Sequence, residues 1–198
     1  MTQIRRNQTR PPLRSVSGVV RTLSVVSCAV AMLGAAGCAE PPNYATPTKV
    51  CGTKVDPELI SPLLPPGKEF EDQVAASDSR GESCKLMVTL NGDSGGTQVM
   101  HIRRDVVPGD VDPFEVNKNA LLGYGNPRRV NVGDDARIAD KGALATLACP
   151  GKGQGRKFVL EIHLSKETPK DVAERRAALE RFVRSHLPDA QKAQGCGG

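Results

Sequence analysis

The chain has 198 residues, 27 basic and 22 acidic, with a formal net charge of +5 at neutral pH. Five arginines (Arg5, Arg6, Arg10, Arg14 and Arg21) and no acid precede Cys38, so the remainder holds 22 basic and 22 acidic residues and is formally neutral. A neutral body with four Phe, two Tyr and no Trp excludes a basic nucleic-acid surface with base-stacking platforms, and equally a domain held on an anionic membrane by its own charge.

After the basic head comes an apolar run, Thr22–Ala36, and then Gly37. A positive head, about 15 apolar residues and small residues before a cut site make a secretory signal, and the run falls short of the ~20 apolar residues of a spanning helix. Ala35-Ala36-Gly37-Cys38 resembles a bacterial lipobox, in which the cysteine is diacylated and becomes the mature N-terminus. Ala35 stands where that motif usually has Leu. Residues 1–37 are therefore expected as a lipoprotein signal peptide and Cys38 as the lipidation site; plain secretion with a bare Cys38 thiol is the competing reading. Arg5-Arg6 admits twin-arginine export, but Asn7 and Gln8 follow where apolar residues belong, which favours the general route.

Residues 38–50 read as the lipidated cysteine and a flexible proline-rich tether, because residues 39–50 (AEPPNYATPTKV) have three prolines and no apolar period. Residues 51–198 suit a single globular domain. Cys28 leaves with the signal and Cys38 takes the lipid, so Cys51, Cys84, Cys149 and Cys196 remain. An even count in an exported chain reads as two disulfides with three available pairings. Cys51–Cys84 and Cys149–Cys196 are favoured, the first tying the opening segment to the first strand, the second tying a strand end to the tail. Zinc ligation lacks the paired short spacing it needs.

Asp56-Pro57-Glu58 starts a short helix that Pro62, Pro65 and Pro66 end; residues 67–82 read as loop. Cys84, Leu86, Val88 and Leu90 alternate with Lys85, Met87 and Thr89, which predicts a half-buried strand, and Gln98–Arg104 forms the next. Asp112-Pro113-Phe114-Glu115 opens a second helix with a capping box, running to about Leu122. Residues 130–132, 136–139 and 143–149 read as short strands, the last two joined by a hairpin loop at 140–142. Phe158, Leu160, Ile162 and Leu164 predict another strand. Thr168-Pro169-Lys170-Asp171 starts the longest helix, with the stripe Val172, Leu179, Phe182, Val183 and Leu187 and a stop at Pro188. The expected class is α+β: an antiparallel sheet of five to six strands packed with a short N-terminal helix, a middle helix and a long C-terminal helix.

Gly92-Asp93-Ser94-Gly95-Gly96 spells the serine motif of trypsin-type proteases. No histidine precedes Ser94, and Thr97 replaces that family's proline. The same letters fit a Gly-x-Ser-x-Gly elbow with His163 or His186 as base, but an elbow needs a following helix and a strand follows here. A hairpin turn is the simpler account. Residues 150–155 (PGKGQG) lack the Lys-Ser/Thr pair of a phosphate loop and read as a hairpin loop. Asp134, Asp135 and Asp140 lack calcium-loop spacing and read as turn and cap residues. His163 lies opposite the apolar face of its strand, next to Glu161, and is a candidate to meet His101 across strands as a metal pair. His186 is expected to partner a helix end. The pairs Arg103-Arg104, Arg128-Arg129 and Arg175-Arg176 read as solvated surface, with anionic wall polymer as a contact to consider.

The lipobox, the proline-rich tether, residues 51–67 (CGTKVDPELISPLLPPG), the strand Cys84–Leu90, residues 130–149 (VNVGDDARIADKGALATLAC) and a closing Arg/Ala-rich helix together resemble a group of small actinobacterial lipoproteins without an assigned activity. The element order also resembles the PsbP-like sandwich, a fold used mainly for binding. The resemblance implies an extracytoplasmic address and a four-cysteine framework. The expectation is a non-catalytic binding or accessory lipoprotein at the outer face of the cytoplasmic membrane, held by lipid on Cys38, with an envelope protein as partner, no nucleic acid, and no catalytic, cofactor or metal residue. The alternatives are a small envelope hydrolase using Ser94, and a ligand or metal carrier.

Overall fold

The computed structural model describes residues 43–78 and 81–197. The expected signal peptide and Cys38 lie outside these residues. The chain opens with a small hairpin, β1 (Lys49–Val50) and β2 (Thr53–Lys54), then α1 (Pro57–Ile60) and a 3-10 turn at Ser61–Leu63. A seven-stranded sheet follows, in spatial order β3 (Glu69–Asp78), β4 (Gly81–Thr89), β5 (Thr97–Val107), β9 (Lys157–Leu164), β8 (Gly142–Ala148), β7 (Asp135–Ile138) and β6 (Arg128–Val130), with every neighbouring pair antiparallel. Two short helices, α2 (Pro113–Val116) and α3 (Lys118–Gly123), lie between β5 and β6, and α4 (Val172–Ala193) closes the chain. The fold is α+β, with two strands more in the main sheet than the lower expectation and a separate two-stranded piece. Among the described residues, no helix is long and apolar enough to cross a membrane.

Alternation decides the two faces of the sheet. Leu86, Ile102, Phe158, Leu160 and Ile162 point to one side and form the main core with Leu179, Phe182, Val183 and Leu187 of α4. Leu144 and Val159, one step out of phase, point to the other side and pack with Leu121, Phe114 and Tyr124 of the α2–α3 segment. That second cover is small, and it leaves part of the sheet face open.

Local chemistry explains the elements. Asp56 caps α1 by accepting from the Glu58 N–H at 2.9 Å, and Asp171 caps α4 by accepting from Glu174 N–H at 2.9 Å. Cys51 (φ 52°) and Gly52 (φ 75°) form the tight turn of the β1–β2 hairpin, a left-handed pair that Gly52 adopts freely. Cys51 is held there by its disulfide to Cys84 and by donation of its N–H to Asp72 Oδ2 at 2.5 Å.

Four sequence expectations are corrected. Residues 67–82 are mostly strand, not loop. The segment Glu69–Asp78 is an edge strand whose charged alternate positions face water, so its apolar period is thin. The middle helix breaks into two at Asn117, whose side-chain amide donates to Pro113 O at 2.8 Å. Pro188 does not stop α4, which runs on to Ala193. Pro188 itself is exposed, while Leu187 and Ala190 are buried on the inner side; that packing outweighs the lost backbone bond, with Val172 exposed and Arg175 taking the buried place at the start of the stripe. Finally, the described part of the expected tether is docked. Asn43 N–H donates to Gly67 O at 3.1 Å, Tyr44 OH donates to Pro65 O at 2.7 Å, Tyr44 stacks on Phe70 at 6.0 Å, and Val50 is fully buried. Burial pushes the Tyr44 phenol up to about 12.

Candidate functional site

The two central strands, β5 and β9, run antiparallel with His101 opposite His163 and Arg103 opposite Glu161. Both pairs lie on the face away from α4, since Ile102 and Ile162 between them are in the main core. Here the sheet holds a polar cluster at the margin of the α2–α3 cover. Arg103 pairs with Glu161 at 2.6 Å and donates to Asn117 Oδ1 at 2.7 Å. Tyr124 OH donates to the other oxygen of Glu161 at 2.6 Å. The Glu161 side chain is only 10% exposed, and both its oxygens are bonded, so its charge is compensated. Burial first, and the bond to Glu161 second, push the Tyr124 phenol well above its ordinary range.

Tyr124 also stacks on His163, with ring centroids 4.7 Å apart and planes 15° apart. Gly142, beside His163 on β8, makes room for it: a Cβ there would lie 2.5 Å from Tyr124 Cδ2 and 2.6 Å from Ile162 O. Next to the cluster is a cavity of about 230 Å³, bounded by Arg103, Asn117 and Glu161 on the polar side and by Val107, Val116 and Val159 on the apolar side. Val116 is 72% exposed at its mouth. Small, half apolar and edged by a fixed ion pair, the cavity suits binding of a small group more than chemistry on it.

Ser94 sits elsewhere. It is exposed in the turn between β4 and β5, as the hairpin reading expects. The surface dent beside it is lined by Glu69, Glu71, Met87 and Gly96 among others, and no histidine lines it. Asp93 accepts from Thr97 Oγ1 at 3.0 Å, closing the turn. Residues 150–155 connect β8 to β9 as a hairpin loop. Asp135 pairs with Arg137 at 2.5 Å and with Arg129 at 3.1 Å. Asp140 accepts from Asn126 at 2.8 Å and from Arg176 at 2.7 Å, and these bonds hold its carboxyl below the ordinary range.

His186 does not partner a helix end. It is a residue of α4 buried on the helix's inner side, stacked on Phe182 at 5.2 Å, and among the described residues neither ring nitrogen has a hydrogen-bond partner; the Lys54 backbone lies beside the ring without meeting hydrogen-bond geometry. Burial, helped by the charge of Arg104, pushes its pKa down to about 4. The basic pairs divide as well. Arg104 is buried and bonds Glu82 at 2.5 Å, Thr53 Oγ1 at 2.7 Å and Cys51 O at 2.7 Å. Arg175 is buried and donates to Asp140 O at 2.6 Å and Pro169 O at 2.5 Å. Only Arg128 and Arg129 are exposed together.

The disulfides are Cys51–Cys84 and Cys149–Cys196, with Cα atoms 5.7 Å and 4.3 Å apart. The structure thus places His101 opposite His163 across strands, and keeps Ser94 and His186 apart from them. The Arg103–Glu161–Tyr124 cluster went unforeseen. Its one local signal was that Arg103 and Glu161 each stand two residues from a histidine on the polar side of a strand. No family model, curated protein or solved structure matches the chain. The resemblance to exported actinobacterial lipoproteins and to the PsbP-like sandwich therefore rests on the sequence features alone.

Proposed function

We propose that the chain is a non-catalytic binding or accessory protein of the cell envelope, lipid-anchored through Cys38 at the outer face of the cytoplasmic membrane. The observation that carries this reading is the pair of disulfides, one fixing the start of the folded body and one its end. Such cross-links persist in oxidising compartments, and they agree with the export-type head at residues 1–37. The open sheet face supports binding over catalysis: its carboxylate and guanidinium neutralise each other, and the one serine in a protease-like motif stands in an exposed turn with no histidine lining the adjacent dent.

Mass spectrometry of the chain isolated from cell membranes tests the address. A product starting at Cys38 with a diacylglyceryl thioether is expected; a bare thiol, or residues 1–37 still attached, overturns it. Crosslinking in intact cells followed by pulldown is expected to recover an envelope protein partner. Fluorophosphonate labelling that disappears in Ser94→Ala would instead establish the hydrolase alternative.

A further inference from the structure

We propose that His101 and His163 form a two-imidazole site for a divalent transition-metal ion of the copper or zinc class on the open face of the sheet. The proposal goes beyond the binding reading above and holds whether or not Cys38 carries lipid.

Register supplies the geometry. His101 and His163 are direct partners across β5 and β9, the two central strands. Ser165 N–H donates to Val99 O at 2.9 Å, two residues away in the same register. The histidines therefore fall in the hydrogen-bonded class of opposed pairs, with side-chain roots about 5.5 Å apart on one face. From that separation two rings can converge on one ion at the ~2.0–2.1 Å metal–nitrogen distance of imidazole sites. The stack on Tyr124, itself tied to Glu161, fixes the plane of His163. Both rings are partly exposed, so an ion and its waters have access.

Charge selects the metal. Lys85 stands opposite His101 on β4, Arg103 is two residues along β5, and Lys141 lies in the turn beside His163. Against these cations stand Glu161, already committed to Arg103 and Tyr124, and Glu167, 3.9 Å from Lys141. Calcium or magnesium needs several oxygen ligands, and the Glu161 carboxylate on this face is already engaged by Arg103 and Tyr124. An ion that gains most of its binding from imidazole nitrogen tolerates such a setting, and copper(II) does so best among the first-row divalents. Burial lowers both histidines from their ordinary range, with Lys141 adding to the effect on His163, a direction that favours the neutral ring a metal needs. Two protein ligands with water completing the shell make an exchangeable site.

The test uses the purified full chain with the Cys28 and Cys38 thiols alkylated. Zinc is titrated by calorimetry and copper(II) is followed by electron paramagnetic resonance, at about pH 7.5, because metal competes with protons for imidazole. One saturable site is expected, with hyperfine splitting from two nitrogens in the copper spectrum. His101→Gln and His163→Gln should each weaken binding by at least about tenfold, and Lys85→Gln should tighten it by removing the facing charge. Absence of saturable binding, a site retained in both histidine variants, or a copper spectrum without imidazole nitrogen overturns the proposal. Should a variant fail to fold, the wild-type copper spectrum decides alone. Loss of this site would leave the mass-spectrometric test of the anchor untouched, and the reverse.

Discussion

Gly142 shows how one residue holds the polar cluster in place. A methyl group there meets both the Tyr124 ring and the backbone oxygen of Ile162, and the backbone cannot yield within a central sheet. Gly142→Ala is expected to displace Tyr124, break its bond to Glu161 and cost about 1–3 kcal/mol. The chain has two tyrosines, Tyr44 and Tyr124, so ultraviolet titration can follow the change. The Tyr124 phenol should fall back toward its ordinary range in the variant, and an unchanged titration curve would refute the account. His186 makes a second prediction. Its folded pKa is lowered to about 4, against about 6.5 unfolded. The unfolded chain therefore binds more protons between those values, and stability is lost as pH falls from 6.5 to 4, with no contribution from this ring above 6.5. Between pH 7.5 and 4.5 the loss from His186 should be about 2–3 kcal/mol. Urea denaturation of wild type and His186→Leu at both pH values isolates it, because every other titrating group is common to the two proteins. Equal acid losses would show that the ring is accommodated in its charged form.

At the scale of elements, α4 carries the sharpest expectation. Pro188 removes one backbone donor from an exposed position of a continuous helix, a defect worth up to ~3 kcal/mol in a helix interior, partly offset by the restricted unfolded chain. Pro188→Ala should therefore stabilise the protein by about 1–2 kcal/mol, read from the denaturation midpoint; a lower midpoint would refute this account of Pro188. The same helix shows what is legible locally. The apolar spacing of Leu179, Phe182, Val183 and Leu187 gives its inner face, but a proline rule based on backbone bonding cannot weigh burial of Ala190 or the cross-link at Cys196. Strands β4 and β9 are readable because one face carries a row of apolar residues, Cys84, Leu86 and Val88 in the first and Phe158, Leu160, Ile162 and Leu164 in the second. Strand β3 is not, since an edge strand needs few apolar residues and its pairing partner lies in another segment. The polar cluster is hidden for a related reason. Arg103 and Glu161 meet only through the β5–β9 register, set by partners some 60 residues apart in sequence, whereas His101 and His163 drew attention because histidines are rare in this chain.

On the scale of the whole molecule, the two disulfides close loops of 33 and 47 residues, one at each end of the described body. The second also holds the end of α4, where Gln191 donates to Ala148 O at 2.5 Å and Gln194 to Glu82 at 2.6 Å. Replacing Cys149 and Cys196 together by Ser should cost about 3–4 kcal/mol and speed amide exchange in the last turn of α4 before the sheet responds. Unaltered exchange there would show that packing alone holds the terminus. The docking of Asn43 and Tyr44 has a different reach. If lipid sits on Cys38, only four residues lie between it and Asn43, and the chain from one to the other extends at most about 18 Å. Asn43 is bonded to Gly67, and the next residue, Lys68, is bonded to Thr89 at the root of the turn that holds Ser94. With such an anchor, the short span would limit how far Gly67 and the root of the Ser94 turn can stand from the lipid headgroups.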